Sequence, residues 1–175
     1  SPKILVPFAA GGNIDIMARL AGGRLSEALG HQFIVENRVG GNGSIATEAV
    51  ARSAPDGYTF LWAPTSTIAS FPWISKVGYD PVKDFSPISL FSIAPQVLVV
   101  NPQTPFKSVA DLVAYAKANP GKLNYSTGGV GTLPHLNTEL FKSVSGTNIL
   151  HVPYKGGGPA LTAVVAGEVQ MTFDT

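Results

Sequence analysis

The chain passes repeatedly from a short apolar strand, through a turn rich in Gly, Ser, Thr or Pro, into a helix. The clearest example runs from Ile4-Leu5-Val6 through residues 7–13 to a helix that begins at Ile14. Such repeated units predict parallel strands joined by right-handed crossovers. The first N–H groups of each helix have no intrahelical partner, and the helix dipole adds positive charge there. We therefore expect an α/β protein that can bind small anions such as a carboxylate or a phosphate.

Composition and charge argue against several classes of function and several kinds of site. The net charge is +1 with no run of Lys or Arg, which argues against the basic face that nucleic-acid binding needs. No apolar run approaches the roughly 20 residues that cross a bilayer. The absence of cysteine excludes disulfides, thiolate metal sites and Cys nucleophiles. The histidines, His31, His135 and His151, lie on three different elements without metal-ligand spacing, so no metal or cofactor is expected.

Hydrophobic periodicity and turn residues predict the order of the elements. Helices are predicted over 14–29, 45–52, 109–118, 134–144 and 159–166, and strands over 4–6, 33–35, 58–62, 96–100, 123–126, 149–152 and 168–174. The segment 71–95 is interrupted by prolines and is expected to hold only short strand-like pieces around Ile88 and Leu90.

Two α/β domains are expected. Asn101-Pro102-Gln103-Thr104-Pro105 contains two prolines and forms a stiff, extended connection. The strand–turn–helix pattern restarts after it. We therefore predict a first domain over 1–100, a second over 101–175, and a hinge near 101–105.

The two termini suggest export and a longer chain. Residue 1 is not Met and a strand begins at Lys3, as in a mature exported protein whose signal peptide has been removed or in a trimmed chain. The strand over 168–174 is not followed by the turn and helix that the earlier strands receive. We expect the 175 residues to be part of a longer protein.

Gly41-Asn42-Gly43-Ser44-Ile45-Ala46 matches the G-x-G-x-x-A dinucleotide fingerprint. The fingerprint also requires an acidic residue at the end of the next strand, and that strand ends in Leu61-Trp62-Ala63-Pro64. Neither a phosphate-binding P-loop nor a G-x-S-x-G nucleophile elbow occurs. Nucleotide binding is disfavoured.

The glycine turns carry neutral hydroxyls and lack charged catalytic pairs, which suits binding a ligand better than transforming it. The hydroxyl residues are Thr65, Ser66, Thr67, Ser126, Thr127 and Thr132. His135, in a first helical turn, could face a ligand or lie at the surface, whereas His151 is predicted to be a satisfied buried histidine. Asp15 is interpreted as a first-turn acid favoured by the helix dipole. Asp174 could accept a donor group from a ligand or cap a later helix.

Several motifs occur in an order that resembles one family along essentially the whole chain. They are Val6-Pro7-Phe8-Ala9-Ala10-Gly11-Gly12 with Asp15, Val35-Glu36-Asn37-Arg38 with Gly40-Gly41, Pro55-Asp56-Gly57-Tyr58, Tyr79-Asp80-Pro81-Val82-Lys83-Asp84-Phe85, Leu123-Asn124-Tyr125, His151-Val152-Pro153-Tyr154-Lys155-Gly156, and Phe173-Asp174. The chain resembles the Bug-type extracytoplasmic solute receptors of tripartite tricarboxylate transporters.

The resemblance implies a periplasmic receptor with a type II-like periplasmic-binding-protein fold: two α/β lobes with mainly parallel sheets and a ligand cleft between them. It implies a small carboxylate ligand (a di- or tricarboxylate, an amino acid or an aromatic acid), held by loop amides and delivered to membrane transporter subunits. The implied ligand-binding residues are Phe8, Gly11, Gly12, Asn13, Thr65, Ser66 and Thr67 in the first lobe, and Ser126, Thr127, Gly128, Gly131, Thr132, His135, Tyr154, Lys155, Gly156 and Asp174 in the second.

Departures from the family pattern leave the ligand's identity open. Ala9-Ala10 stand where family members usually carry two prolines, and Asn13-Ile14 replace a commoner Pro-Thr or Ser-Thr pair. The chain also ends where members continue and complete the second lobe, so we expect a C-terminally incomplete fold. Such a fold should expose an apolar sheet edge and favour dimers.

Two other functions remain open from the sequence alone. The first is an α/β hydrolase or transferase that uses His135 as general base with Ser126 or Thr132. The second is a regulatory domain that senses an effector with the same two-lobed fold.

Overall fold

The computed structural model describes all 175 residues and divides them into two units, 1–93 and 94–175. The division falls before the strand Val97–Val100, which the sequence placed in the first domain. That strand pairs with Met171–Asp174, so its hydrogen bonds belong to the second unit. Residues 101–105 form a turn, and the hinge expected there stays a prediction.

The first unit is a three-stranded parallel sheet with its helices in the connections. The strand order is β2-β1-β3. Its elements are β1 (Lys3–Val6), α1 (Asn13–Leu29), β2 (Ile34–Asn37), α2 (Ser44–Ala51), β3 (Thr59–Leu61) and α3 (Phe71–Ile74). A 3₁₀ turn (Gly41–Gly43) precedes α2, and a π-helical turn (Ser66–Ser70) precedes α3.

The second unit is a four-stranded mixed sheet in the order β4-β7-β5-β6. The strands β5, β6 and β7 run parallel to one another, and β4 is antiparallel to β7. Its elements are β4 (Val97–Val100), α4 (Val109–Ala118), β5 (Asn124–Thr127), α5 (Leu133–Ser145), β6 (Leu150–Pro153), α6 (Gly157–Ala166) and β7 (Met171–Asp174). The last strand therefore lies inside the sheet, and the edges are β4 and β6. Dimerisation through a sheet edge stays a prediction.

Each unit has its own apolar core. In the first unit Ile4, Val6 and Ala18 are buried between β1 and α1. A Cβ atom on Gly22 would lie 3.2 Å from Cγ2 of Val35, so the absence of a side chain lets α1 pack closely on β2. In the second unit the largest fully buried side chain is Tyr125. Burying a large apolar side chain contributes about 1.5–3 kcal/mol relative to exposure.

The strand-like pieces predicted around Ile88 and Leu90 are wrong. Residues 76–96 contain neither helix nor strand, and these two side chains are exposed. Three prolines in this stretch remove ladder donors and confine the backbone, so it cannot enter a central sheet position. Neither unit contains a helix with the length and apolarity that a membrane span requires.

Candidate functional site

The strand-to-helix turns of the first unit meet at the carboxyl edge of its sheet. Gly43, which precedes α2, has φ of +94°, and a Cβ atom there would lie 2.5 Å from Cγ2 of Thr67 and 3.1 Å from Cβ of Pro7. The turn after β1, the turn after β2 and the segment after β3 are thus in mutual contact. Ligands in open α/β sheets bind outside this edge. The structure therefore brings the predicted residues Phe8–Asn13 and Thr65–Thr67 into one neighbourhood.

Asp15 lies in the first turn of α1, as the sequence predicts, and it also hydrogen-bonds to the turn between β1 and α1. It is 4% exposed. Its carboxylate accepts hydrogen bonds from the backbone N–H of Gly11 (3.0 Å), Nδ2 of Asn37 (2.8 Å) and Nε of Arg19 (3.1 Å). Burial opposes ionisation, but these hydrogen bonds outweigh it and hold the pKa of Asp15 below its usual value.

Asn37 is the residue of this site that the sequence reasoning missed. Its Nδ2 donates both to Asp15 and to the carbonyl of Phe8 (2.9 Å), and its Oδ1 accepts from Arg19 (2.8 Å). The signal was present in Val35-Glu36-Asn37-Arg38, whose family likeness was noted without a role. Together Asp15 and Asn37 fix the backbone of residues 8–11 before any ligand arrives.

The start of α1 is left without a capping side chain. Gly12 is the N-cap, with extended backbone angles (φ −83°, ψ 165°) and no side-chain cap hydrogen bond. Gly11 N–H already donates to Asp15. A ligand anion over this turn would therefore rely on the helix dipole and on amides beyond Gly11.

The hydroxyls predicted as ligand donors are largely committed within the protein. In the first unit Oγ1 of Thr67 donates to the carbonyl of Pro64 (3.1 Å), and Ser66 is buried while Thr65 is exposed. In the second unit Oγ of Ser126 donates to the carbonyl of Ala160 at 2.8 Å. Oγ1 of Thr132 likewise donates to the carbonyl of Gly129 at 2.7 Å. These groups shape the turns, and backbone amides remain the better candidates for ligand contact.

Two glycine turns of the second unit lie against each other. A Cβ atom on Gly128, which follows β5, would lie 3.1 Å from the carbonyl carbon and 3.2 Å from Cα of Gly156, which follows β6. Two turns at the carboxyl ends of neighbouring parallel strands therefore form one continuous backbone surface. These turns contain part of the second predicted set of ligand-binding residues, and their role in binding stays a prediction.

We expect Gly128→Ala to destabilise the second unit by about 1 kcal/mol, because the added methyl forces two backbone segments apart. The matched control is Gly157→Ala, where a Cβ atom would have no neighbour within 4 Å. That change should be neutral or slightly stabilising, since Ala favours the helix over Gly. Chemical denaturation followed by far-UV circular dichroism measures both, and equal stabilities of the two variants would contradict the close contact.

His135 and His151 contact each other and the turn after β5. Nδ1 of His135 accepts from the N–H of Gly131 (3.2 Å), and Nε2 of His151 lies 2.6 Å from Oγ1 of Thr127. The two ring centroids are 4.6 Å apart. His151 is hydrogen-bonded as predicted, although it is half-buried. Desolvation lowers the pKa of His135 below its usual value, and desolvation with the neighbouring His135 lowers the pKa of His151 to about 4.

A chain of hydrogen bonds links Tyr125 of β5, which stacks on His151, to two charged residues of α5. The hydroxyl of Tyr125 donates to Oε1 of Glu139 (2.6 Å), which also accepts from Nζ of Lys142 (2.6 Å). Burial and the Glu139 carboxylate raise the pKa of Tyr125. Burial opposes ionisation of Glu139, but Lys142 and Tyr125 outweigh it and lower its pKa. The Glu139–Lys142 spacing on one helix was visible in the sequence, but its partner on β5 was not.

The remaining predicted ligand-binding residues lie in different surroundings. Tyr154 packs its ring on the cluster of Ala163, Val164 and Val169, and its hydroxyl donates to Glu168 at 3.3 Å. Lys155 is exposed. Asp174 ends β7 and accepts from the N–H of Thr175 at 2.9 Å. No group of three or more His, Asp or Glu side chains is arranged to hold a metal ion.

Comparison with known proteins gives a consistent result. A model of the family described as "Tripartite tricarboxylate transporter family receptor" matches residues 17–175. A UPF0065 protein of Pseudomonas sp. (strain P51) is 37% identical over 171 residues, which are 98% of this chain and 51% of the relative. Protein BugT of Bordetella pertussis is 38% identical over 169 residues, 95% of this chain and 52% of the relative. The chain thus spans about half the length of these relatives.

Solved structures agree with the computed fold. The R. palustris protein Rpa4515 with adipate superposes with a TM-score of 0.97 at 40% identity, covering 99% of this chain and 58% of that one. MatC (Rpa3494) from Rhodopseudomonas palustris with bound malate gives 0.88 at 30% identity, covering 99% and 60%. The predicted α/β fold of the periplasmic-binding-protein class and the predicted family are confirmed, and this family consists of receptors and not of enzymes. The chain belongs to the tripartite tricarboxylate transporter receptor family.

Proposed function

We propose that this chain binds a small carboxylate by backbone amides at its glycine turns, as the receptor of a tripartite transporter. The observation that carries the proposal is the convergence of turns in each unit: Gly43 on Thr67 and Pro7, and Gly128 on Gly156. Two related structures contain adipate and malate, both dicarboxylates. The proposal transfers that ligand class, and not a particular acid, to this chain.

Backbone amides suit this ligand because the site offers few free charges. Arg19, the cation near the first turn, already bonds to Asp15 and Asn37. A micromolar ligand needs about 8 kcal/mol net. Charge-assisted hydrogen bonds contribute about 1.5–3 kcal/mol each, and a partly buried helix start adds up to ~2 kcal/mol. Several amides are therefore needed, which is what clustered turns supply.

The wider physiological role follows from the family. The protein would act in the periplasm and deliver its ligand to membrane transporter subunits. The cleft shared by two lobes and the hinge near 101–105 remain predictions of the resemblance.

The alternative of a hydrolase or transferase needs a hydrogen bond between His135 and the hydroxyl of Ser126 or Thr132, and these groups have other partners. Nδ1 of His135 accepts from the amide of Gly131, and the hydroxyls of Ser126 and Thr132 donate to backbone carbonyls. None of these hydroxyls is bonded to His135. The one hydroxyl that contacts a histidine, on Thr127, is fully buried.

Isothermal titration calorimetry tests the proposal. We expect adipate or malate to bind the chain with a dissociation constant of about micromolar order. The diamide of adipic acid has a similar length and lacks charge, so it should bind at least about tenfold more weakly if carboxylate charge is recognised. Absence of binding by every carboxylate, or equal affinity for diamide and diacid, would contradict the proposed function.

A further inference from the structure

The two histidines of the second unit connect both ends of one glycine turn. The turn, Gly128–Thr132, joins β5 to α5. At its start, Oγ1 of Thr127 accepts from the N–H of Gly129 (3.1 Å) and contacts Nε2 of His151 (2.6 Å). At its end, the N–H of Gly131 donates to Nδ1 of His135 (3.2 Å). The two rings also contact each other, so both ends of the turn are bonded to one pair of adjacent imidazoles.

We propose that His135 is a positioning residue that, together with His151, holds this turn in its carboxylate-binding conformation only while the His135 ring is neutral. The inference rests on the proposed function for its effect on affinity. The effect on the turn itself does not need a ligand. The turn then has a pH-dependent shape, and His135 has a role other than direct contact with the ligand.

The hydrogen-bond chemistry fixes the required protonation state. Nδ1 of His135 can accept from Gly131 only when it carries no proton, so the neutral ring has its proton on Nε2. Adding a proton to Nδ1 places two donors against each other. The contact must then break, and the turn loses the bond at its C-terminal end.

The surroundings favour the neutral pair. His151 stacks on Tyr125 of the neighbouring strand with ring centroids 4.8 Å apart, and it also contacts His135. Two charged imidazoles would therefore lie side by side in a partly desolvated place. On α5 itself, Glu139 favours the protonated form of His135 and Lys142 opposes it. The ionisable residue of β7 is Asp174, and α6 contains none.

Desolvation also favours the neutral form of both imidazoles. It lowers the pKa of His135 and brings the pKa of His151 to about 4, so both rings are neutral at neutral pH. Protonation of His135 breaks its contact with Gly131, whereas the Thr127 hydroxyl can donate to or accept from Nε2 of His151 and keeps that contact in either state.

Binding measured against pH tests the effect on affinity, with malate as the probe. As the pH falls from about 7.5 through the lowered pKa of His135, we expect the affinity of the wild-type chain to fall at least about fivefold more than that of His135→Asn. Asn can accept from Gly131 through Oδ1 and does not titrate. Ligand protonation affects both proteins equally, so the ratio of their dissociation constants reports on the imidazole. The control His31→Asn, an exposed histidine of the other unit, should keep the wild-type profile.

A second readout works without ligand and without a variant. In ¹⁵N-labelled wild-type chain, the amide signal of Gly131 should move with the titration of the His135 ring. A Gly131 signal that ignores that titration overturns the inference, as does an affinity that rises on acidification, since a charged imidazole would then attract the ligand directly. If Gly131 follows His135 but no carboxylate binds at any pH, the receptor function fails and the histidine-controlled turn stands.

Discussion

Replacing Gly12 by Asp should lower carboxylate affinity at least about 100-fold while leaving the fold intact or slightly more stable. The new side chain would put a negative charge at the start of α1, where the proposed ligand carboxylate binds. The backbone of Gly12 is extended, a conformation open to any residue, and no side chain caps the helix at present. Asp is a favoured N-cap, and relative to Gly it stabilises a helix start by roughly a few tenths of a kcal/mol. Affinity and stability are therefore expected to move in opposite directions.

The chain offers a matched control on the same helix. Gly23 is exposed, and a Cβ atom there would have no neighbour within 4 Å, so Gly23→Asp adds the same charge away from the turn. Its malate affinity should stay within about twofold of the wild type, because an exposed charge farther than a Debye length is largely screened. Calorimetry at matched salt compares the three proteins. Unchanged affinity in Gly12→Asp would refute the placement of the carboxylate.

Local structure could be predicted because its causes are local. Helix α1 was expected over 14–29 and is found over Asn13–Leu29, since its apolar stripe and the glycine after it are set by neighbouring residues. Ser108 is the N-cap of α4, and its hydroxyl accepts from the N–H of Asp111 three residues later, at 3.1 Å. Gly30 ends α1 in the left-handed conformation, which glycine adopts without strain.

Pairing between distant strands could not be predicted. The strand Val97–Val100 reads as apolar and β-branched whichever sheet it joins, and the choice of β7 as its partner depends on residues more than 70 positions later. The sequence therefore placed it in the first domain, whereas its hydrogen bonds join it to β7 of the second unit. The same limit applies to the prolines after residue 75, which indicate a break in the pattern but not its path.

In the site, too, local features could be predicted and contacts between distant residues could not. The positions of the glycine turns followed from strand ends, but side-chain partners depended on sheet register. Tyr125 pairs with His151 across β5 and β6, which brings the second histidine beside the first. Asp15 and Asn37 meet because β1 and β2 are parallel neighbours. No spacing within one element carries that information, so the sequence gives Asp15 a simpler role and gives Asn37 none.

Asp15→Asn should destabilise the first unit by about 3 kcal/mol at neutral pH, since buried hydrogen bonds to a charged acceptor are worth about 1.5–3 kcal/mol each. An amide has one accepting oxygen, so it cannot satisfy the donors of Gly11, Asn37 and Arg19 together. Both tryptophans, Trp62 and Trp73, lie in this unit, so their fluorescence during urea denaturation reports its unfolding.

The pH dependence distinguishes the lost charge from a general packing defect. The pKa of Asp15 is lowered in the folded protein, so its contribution is present above the ordinary value of 3.8 and is lost as pH falls through the lowered one. Wild type and Asp15→Asn should therefore converge in stability in acid. The control Glu27→Gln removes a carboxylate of the same helix whose pair with Arg24 is exposed. It should change stability by less than about 0.5 kcal/mol. A gap between wild type and Asp15→Asn that persists undiminished into acid would mean that packing, and not the carboxylate charge, supports the turn.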